Sequence, residues 1–172
     1  MDEIEALFRI LTEERLRVGA IFQSMSEANL GKFLSLPYCT IGSDSSARSF
    51  DGPTATGKPH PRTFGTFPRL FAEYVRQGKL LSLSEAVHKA TMLAAVTFGL
   101  EGRGRIQKGM YADIVVFNPE KIADRATFED PFRRPDGIAY VLVNGVPAIW
   151  EGSTTGRLAG RVLRGGQLHS QS

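Results

Sequence analysis

Four stretches of the chain repeat apolar residues at helical spacing, with polar residues between them. Ile4, Leu7, Phe8 and Leu11 form the first such repeat. Each of the three later repeats follows a residue that suits a helix N-cap. These residues are Ser26, Thr66 and Ser82. The Ser82-to-Glu85 spacing fits a capping box, and Gly78 is expected to end the third helix. The pattern predicts four amphipathic helices, the last of them continuous until Gly99 ends it.

Two short apolar runs lie beside the first two helices and predict buried strands over 18–22 and 38–44. The resulting order of helix, strand, helix and strand is that of parallel βα units. A serine-, glycine- and proline-rich loop without periodicity follows the second strand, from Ser45 to Thr66. Loops of this length inside compact domains are usually functional or disordered.

Beyond Gly102-Arg103-Gly104 the pattern changes from helical to β. A compact strand is predicted over 112–117, and two more over 140–143 and 146–150. Asn144-Gly145 between the last two favours a type I′ hairpin turn. Pro147 is expected at an edge or a non-bonded position. The chain is therefore predicted to divide into an α/β part over 1–104, a β module of three or four strands over 105–165 and a disordered tail over 166–172.

Composition narrows the class of protein. Hydrophobic residues make up 42% and charged residues 23%, which is typical of a globular domain. The net charge of +3 is small and the arginines are scattered, so no nucleic-acid partner is expected. The apolar runs are too short to cross a bilayer, and the acidic start does not resemble a secretory signal. A cytoplasmic protein without membrane contact is expected.

Asp44 ends the second apolar run, which is where β/α-barrel enzymes place catalytic groups. Its carboxylate suits a metal ligand or proton acceptor, and equally a cap of the following turn. His60 and Arg62 lie in the loop beyond, where an arginine can hold a carboxylate bidentately or simply face solvent. The chain has three histidines but no His-x-His or i, i+4 pair, so it does not assemble a zinc site by itself. Cys39 is expected to be a small core residue.

Taken together, several sequence strings strongly resemble the N-acyl-D-amino-acid deacylases, or D-aminoacylases, of the amidohydrolase superfamily. Three strings are specific to this branch of the superfamily: 41–44 (IGSD), 57–62 (GKPHPR) and 65–69 (GTFPR). The others indicate only the superfamily or extend the match: 109–117 (GMYADIVVF), 126–131 (ATFEDP) and the Val-Asn-Gly hairpin at 143–145. The resemblance implies the last two βα units of a TIM-like barrel, followed by a small C-terminal β module that is part of a β-sandwich. A whole barrel needs roughly 250 residues, and this chain has 172.

The resemblance also implies roles for individual residues. Asp44 matches the aspartate that contacts the zinc site, activates water and returns a proton to the leaving amine. Arg62 matches a position suited to the substrate α-carboxylate, and Phe22 and Met25 look like part of the pocket for the substrate side chain. His60, in the same string as Arg62, is assigned to substrate binding. The family's other zinc ligands have no counterpart, so the chain is expected to be inactive alone as a C-terminal portion of a zinc-dependent hydrolase of N-acyl-D-amino acids.

Two alternatives remain open at the level of sequence. A hydantoinase-like or dihydroorotase-like hydrolase of cyclic amides shares the terminal aspartate and the β module. A non-catalytic module that associates with itself through exposed barrel strands is the alternative from another class.

Overall fold

A computed structural model describes residues 2–20 and 24–165. The first helices are α1 (Glu3–Glu13) and α2 (Glu27–Ser35). The side chain of Asp2 caps α1 and that of Ser26 caps α2, each accepting a hydrogen bond from a backbone N–H of the first turn. The predicted amphipathic helices at both places are confirmed.

The third helix begins earlier than the sequence pattern predicts. It starts at Arg62 rather than after Thr66, runs as α3 (Arg62–Arg69) and continues as a π-helix (Leu70–Gln77). Pro68 therefore lies inside the helix rather than in its first turn. Because proline has no backbone N–H, it cannot complete the usual i to i−4 bond at this point, and the wider π turns follow directly. Gly78 ends the helix, as predicted.

The Ser82 capping box is present, with Glu85 bonding back to the cap. The helix that it opens is nevertheless divided into α4 (Leu83–Ala90) and α5 (Met92–Thr97). The Thr91 hydroxyl donates to the Val87 carbonyl at 2.6 Å, a local bond that bends helices. The break lies at Thr91, whose φ of −133° and ψ of −88° are not helical, so the prediction of one continuous helix ending at Gly99 is wrong.

Four antiparallel strands form a single sheet in sequence order: β1 (Ile114–Phe117), β2 (Ile138–Val143), β3 (Val146–Trp150) and β4 (Ser153–Thr154). Asn144 and Gly145 both have positive φ values, 50° and 80°, as the predicted type I′ turn requires. Pro147 pairs with Leu142 and lies beyond the short pairing of β3 with β4, so no sheet hydrogen bond is lost there.

The predicted strand over 38–44 does not form in this structure, and only part of the other predicted strand is described. Residues 38–44 and 18–20 have no regular secondary structure, while the remainder of the first run, including Phe22, lies outside the described residues. A parallel strand exists only where a neighbour pairs with its backbone groups. No described segment of the chain pairs with 38–44, so the predicted βα units of a barrel are not formed here.

Helix α2, the π-helix and α4 share one apolar core with the β module. Leu70 and Phe71 of the π-helix and Ala86 of α4 are buried together with Ile122 from the segment between β1 and β2. The Phe71 and Phe117 rings pack at 4.9 Å between centroids. This core holds the π-helix that continues directly from α3.

Candidate functional site

Asp44 and Arg62 meet at the surface. Arg62 Nη2 lies 3.0 Å from Asp44 Oδ2, and 90% of the Asp44 side chain and 45% of the Arg62 side chain are exposed. Asp44 has a φ of 48°, a left-handed conformation that aspartate tolerates better than most residues. Arg62 is the first residue of α3. In the described part of the chain the Asp44 carboxylate makes this ion pair and caps no backbone N–H, so the structure does not support a turn-cap role.

His60 is tied to Arg62 through the backbone. The Arg62 N–H donates to His60 Nδ1 at 3.0 Å, which fixes this nitrogen as an acceptor and puts the proton of the neutral ring on Nε2. The edge of the His60 ring packs against Phe128, with 5.0 Å between centroids and 77° between planes. Burial and then the nearby Arg62 charge lower the pKa of His60 below 6.5. His60 therefore acts as an uncharged neighbour of the ion pair at neutral pH.

The loop between Asp44 and α3 is held by contacts along its length. The hydroxyls of Ser45 and Thr63 lie 2.8 Å apart, which joins the start of the loop to α3. Arg48 donates to the Thr56 carbonyl at 2.7 Å, and Phe50 stacks on Phe64 at 4.2 Å between centroids. The loop thus has a defined path that returns the chain from Asp44 to Arg62.

The remaining predicted site residues do not join this pair. Met25 is 75% exposed and precedes α2, and Phe22 lies outside the described residues. Cys39 is half-buried, with Sγ 3.6 Å from the Thr40 carbonyl. Among residues 2–20 and 24–165, no three His, Cys, Asp or Glu side chains are grouped closely enough to hold a metal ion. The donors among these described residues therefore do not fit a zinc ion.

Sequence reasoning missed a polar cluster that fastens the β module. The Arg103 guanidinium contacts the Asp113 carboxylate, donates to Asn144 Oδ1 at 2.6 Å and lies 4.3 Å from the centre of the Tyr111 ring. Asp113 Oδ1 in turn accepts from the Asn144 N–H at 2.8 Å. The Tyr-Ala-Asp and Asn-Gly strings contain Tyr111, Asp113 and Asn144, so the sequence did carry a signal for this cluster. These strings therefore stabilise the β module in addition to indicating the superfamily.

A buried cation was also missed. Lys89 is 5% exposed, and its ammonium donates to the carbonyls of Leu36 and Cys39, just after α2. The only feature of the sequence that indicates its burial is the position of Lys89 next to the apolar face of α4. This contact holds the segment leading to Asp44 against α4.

Two open hollows lie elsewhere on the surface, with volumes of about 350 and 310 Å³. Both are bordered by Gly99, Leu100, Glu101 and Arg103. Neither includes Asp44, His60 or Arg62, so the chemistry-bearing residues form an exposed edge rather than a closed pocket.

Comparison with known proteins connects this edge to an enzyme family. Residues 40–149 match the model of the amidohydrolase family Amidohydro_3. The chain is 46% identical over 145 residues to a D-aminoacylase and 42% identical over 149 residues to an N-acyl-D-aspartate deacylase, both from Alcaligenes xylosoxydans xylosoxydans. These alignments cover 84% and 86% of this chain, and the chain spans 28% of the length of each relative.

Solved structures show the same likeness. A D-aminoacylase crystal structure superposes with a TM-score of 0.79 at 42% identity, covering 94% of this chain and 34% of that one. An N-acyl-D-glutamate deacylase from Bordetella bronchiseptica, complexed with zinc and a phosphonate inhibitor, superposes with a TM-score of 0.70 at 41% identity, covering 81% and 28%. The resemblance to D-aminoacylases found in the sequence is confirmed, and the chain belongs to the amidohydrolase family.

Proposed function

We propose that this chain forms the C-terminal part of a zinc-dependent hydrolase that deacylates N-acyl-D-amino acids. The observation that carries the proposal is the convergence of Asp44 and Arg62, whose charged groups come within 3.0 Å at one exposed edge. The relatives named D-aminoacylase and N-acyl-D-aspartate deacylase support the substrate class. This chain spans 28% of the length of each of these relatives, so the activity that we propose is that of a longer protein of which this chain is a part.

Each member of the pair has a chemical role in this proposal. Asp44 is an exposed carboxylate able to accept a proton from the attacking water and return it to the leaving amine. Arg62 presents a planar guanidinium that binds a carboxylate, as its contact with Asp44 illustrates. We assign the substrate α-carboxylate to Arg62, with His60 beside it, and the acceptor role to Asp44.

The metal must be held largely by residues that this chain does not contain. Asp44 is the one ligand we assign here, and the described residues supply no three-ligand cluster around it. The metal chemistry thus belongs to the longer protein. Phe22 and Met25 remain predictions for the substrate side-chain pocket, and the cytoplasmic location remains one too. No helix among the described residues is long and apolar enough to span a bilayer.

The cyclic-amide alternative differs in substrate. The relatives carry names of enzymes that act on N-acyl-D-amino acids, and these favour the linear amide. Arg62 discriminates against the hydantoinase-like case, because a linear N-acyl amino acid has a free carboxylate for a guanidinium to bind and a hydantoin ring has none. If a full-length form with Arg62→Ala kept its activity on N-acyl-D-amino acids, the carboxylate-binding role of Arg62 would fail.

Self-association is the second candidate, and the first helix favours it. None of the α1 residues is buried, and its apolar side chains Ile4, Leu7 and Phe8 are 63%, 55% and 63% exposed. Exposed apolar faces of this kind favour association.

The proposal predicts that the 172-residue chain has no deacylase activity by itself. Release of D-methionine from N-acetyl-D-methionine would be measured with and without added Zn²⁺, with a D-aminoacylase as the positive control. We expect no release above the rate without protein, because the described residues supply no three-ligand cluster for a metal. Measurable turnover that disappears with Asp44→Asn would show that the chain completes a site, contrary to the proposal.

A further inference from the structure

A segment between β1 and β2 reaches over to the loop that precedes Arg62. Phe128 contacts the His60 ring at 5.0 Å, and Phe132 contacts Phe64 at 5.6 Å between centroids. The Arg134 guanidinium lies 4.3 Å from the centre of the Phe50 ring. One segment, residues 126–134, thus makes three aromatic contacts to the loop and α3, and we call it the brace segment.

The brace segment is itself fixed at its base and in its turn. Asp136 donates its N–H to the Ala123 carbonyl at 2.9 Å, and its carboxylate pairs with Arg125 at 2.6 Å. Within the segment, the Thr127 N–H donates to the Asp130 carbonyl at 3.0 Å and the Asp130 N–H donates to Thr127 Oγ1 at 3.0 Å. Reciprocal bonds of this kind give the turn a single conformation. The segment therefore provides a fixed surface for the loop.

Contacts continue from the brace segment to the guanidinium. Phe128 limits the orientation of the His60 ring, and His60 Nδ1 accepts the Arg62 N–H at 3.0 Å. This hydrogen bond forms where α3 begins, and Arg62 reaches Asp44 from the same residue. Rotation of the ring away from this orientation would release the Arg62 N–H, while the backbone bonds from Phe64 and Gly65 to the Pro61 carbonyl would remain, so the effect is expected at Arg62 itself.

We propose that the brace segment positions Arg62 for its carboxylate ligand, with Phe128 as a positioning residue that acts through His60. This inference rests on the proposed function, which makes Arg62 the group that binds the substrate carboxylate. It adds that the β module contributes to the site by holding the loop in place, although it carries no assigned catalytic residue.

The test is NMR spectroscopy of the 172-residue chain with three variants. In the unmodified chain, His60 Nδ1 is expected to show the ¹⁵N shift of an unprotonated acceptor, and the Arg62 amide to exchange slowly. Phe128→Ala should speed Arg62 amide exchange about threefold to tenfold, the effect of losing one aromatic contact. Phe128→Tyr keeps the ring and should restore the unmodified values. Phe98→Ala, at a 62% exposed phenylalanine at the end of α5, is the matched control and should change neither signal.

Fold is monitored in the same spectra through the β2 amides, and Phe128→Leu replaces Phe128→Ala if those signals are lost. Unchanged His60 and Arg62 signals in a folded Phe128→Ala or Phe128→Leu variant would overturn the proposal. An equal change of the His60 and Arg62 signals in Phe98→Ala would also overturn the proposal.

The same samples separate this inference from the proposed function. N-acetyl-D-alanine, which has a carboxylate, and N-ethylacetamide, which lacks one, would be added to the unmodified chain while the Arg62 Nε signal is followed. A shift with N-acetyl-D-alanine but not with N-ethylacetamide, together with the Phe128 effect, supports both proposals. No shift with either probe, together with the Phe128 effect, supports the brace segment and counts against Arg62 as a carboxylate-binding group.

Discussion

At the scale of single residues, the exposed edge combines a weak ion pair with a well-placed imidazole. Asp44 and Arg62 are largely in solvent, where such a pair contributes little to stability, on the order of 0–1 kcal/mol. The role proposed for them is therefore a chemical one. His60, half-buried between Arg62 and Phe128, is the residue whose titration reports on this environment.

The pKa of His60 is expected to lie below 6.5, because partial burial and the Arg62 charge both disfavour the imidazolium. The folded chain then binds fewer protons than the unfolded chain near the pKa, so the contribution of His60 to stability is present above pH 6.5 and is lost as pH falls through the folded pKa. The Arg62 N–H to Nδ1 bond is lost over the same range. A ¹H–¹⁵N titration of the His60 ring measures this pKa directly.

Arg62→Gln is the matched variant for this titration, since it removes the charge and keeps a side chain of similar length. It should raise the pKa of His60 toward the ordinary value. An unchanged or lower pKa in the variant would show that the Arg62 charge does not act on the ring.

The sequence was sufficient to identify Asp44 and Arg62 as candidates, because each lies in a recognisable string. It could not predict that they form an ion pair, since this depends on the path of the loop between them. The contact of His60 with Phe128 was equally inaccessible, because Phe128 belongs to a segment far along the chain.

At the scale of elements, local signals were predicted well and non-local ones were not. The capping box of α4, the end of the π-helix at Gly78 and the Asn144-Gly145 turn are confirmed, because each is set by neighbouring residues. The strand predicted over 38–44 is wrong, since a strand depends on a partner from elsewhere. The start of α3 was placed too late because Pro68 was assigned to a first turn.

The cluster around Arg103 gives a prediction for the β module. Asp113→Ala removes the Asp113 contacts with Arg103 and with the Asn144 N–H, and leaves the largely buried guanidinium with one partner fewer. We expect the free energy of unfolding to fall by about 2 kcal/mol, a typical loss for hydrogen bonds to charged groups. Chemical denaturation followed by circular dichroism measures this change.

Asp130→Ala is the control for this prediction, because its carboxylate is 66% exposed and lies 3.9 Å from Arg133. That change should cost less than about 0.5 kcal/mol. Equal losses for the two variants would mean that the Asp113 cluster does not fasten the hairpin.

At the scale of the whole molecule, the prominent feature is apolar surface without a covering partner among the described residues. The apolar side chains of α1 lie outside the shared core, while Leu70, Ala86 and Ile122 are within it. If α1 mediates self-association, sedimentation velocity should show a species whose fraction rises with protein concentration. Phe8→Glu should reduce that fraction, whereas Ile106→Glu, at an 85% exposed residue outside α1, should not. A monomer at all concentrations would contradict self-association.

The central claim is that Asp44 and Arg62 complete an active site whose metal ligands lie in the rest of a longer deacylase. The most direct test joins this chain to the preceding part of the D-aminoacylase to which it is 46% identical and measures zinc-dependent release of D-methionine from N-acetyl-D-methionine. We expect the zinc-loaded chimera to be active, and Asp44→Asn, which suits the left-handed backbone, to lower kcat by about 10²- to 10⁴-fold as expected for loss of a general base. A folded, zinc-loaded chimera without activity, or one that Asp44→Asn leaves fully active, would contradict the account.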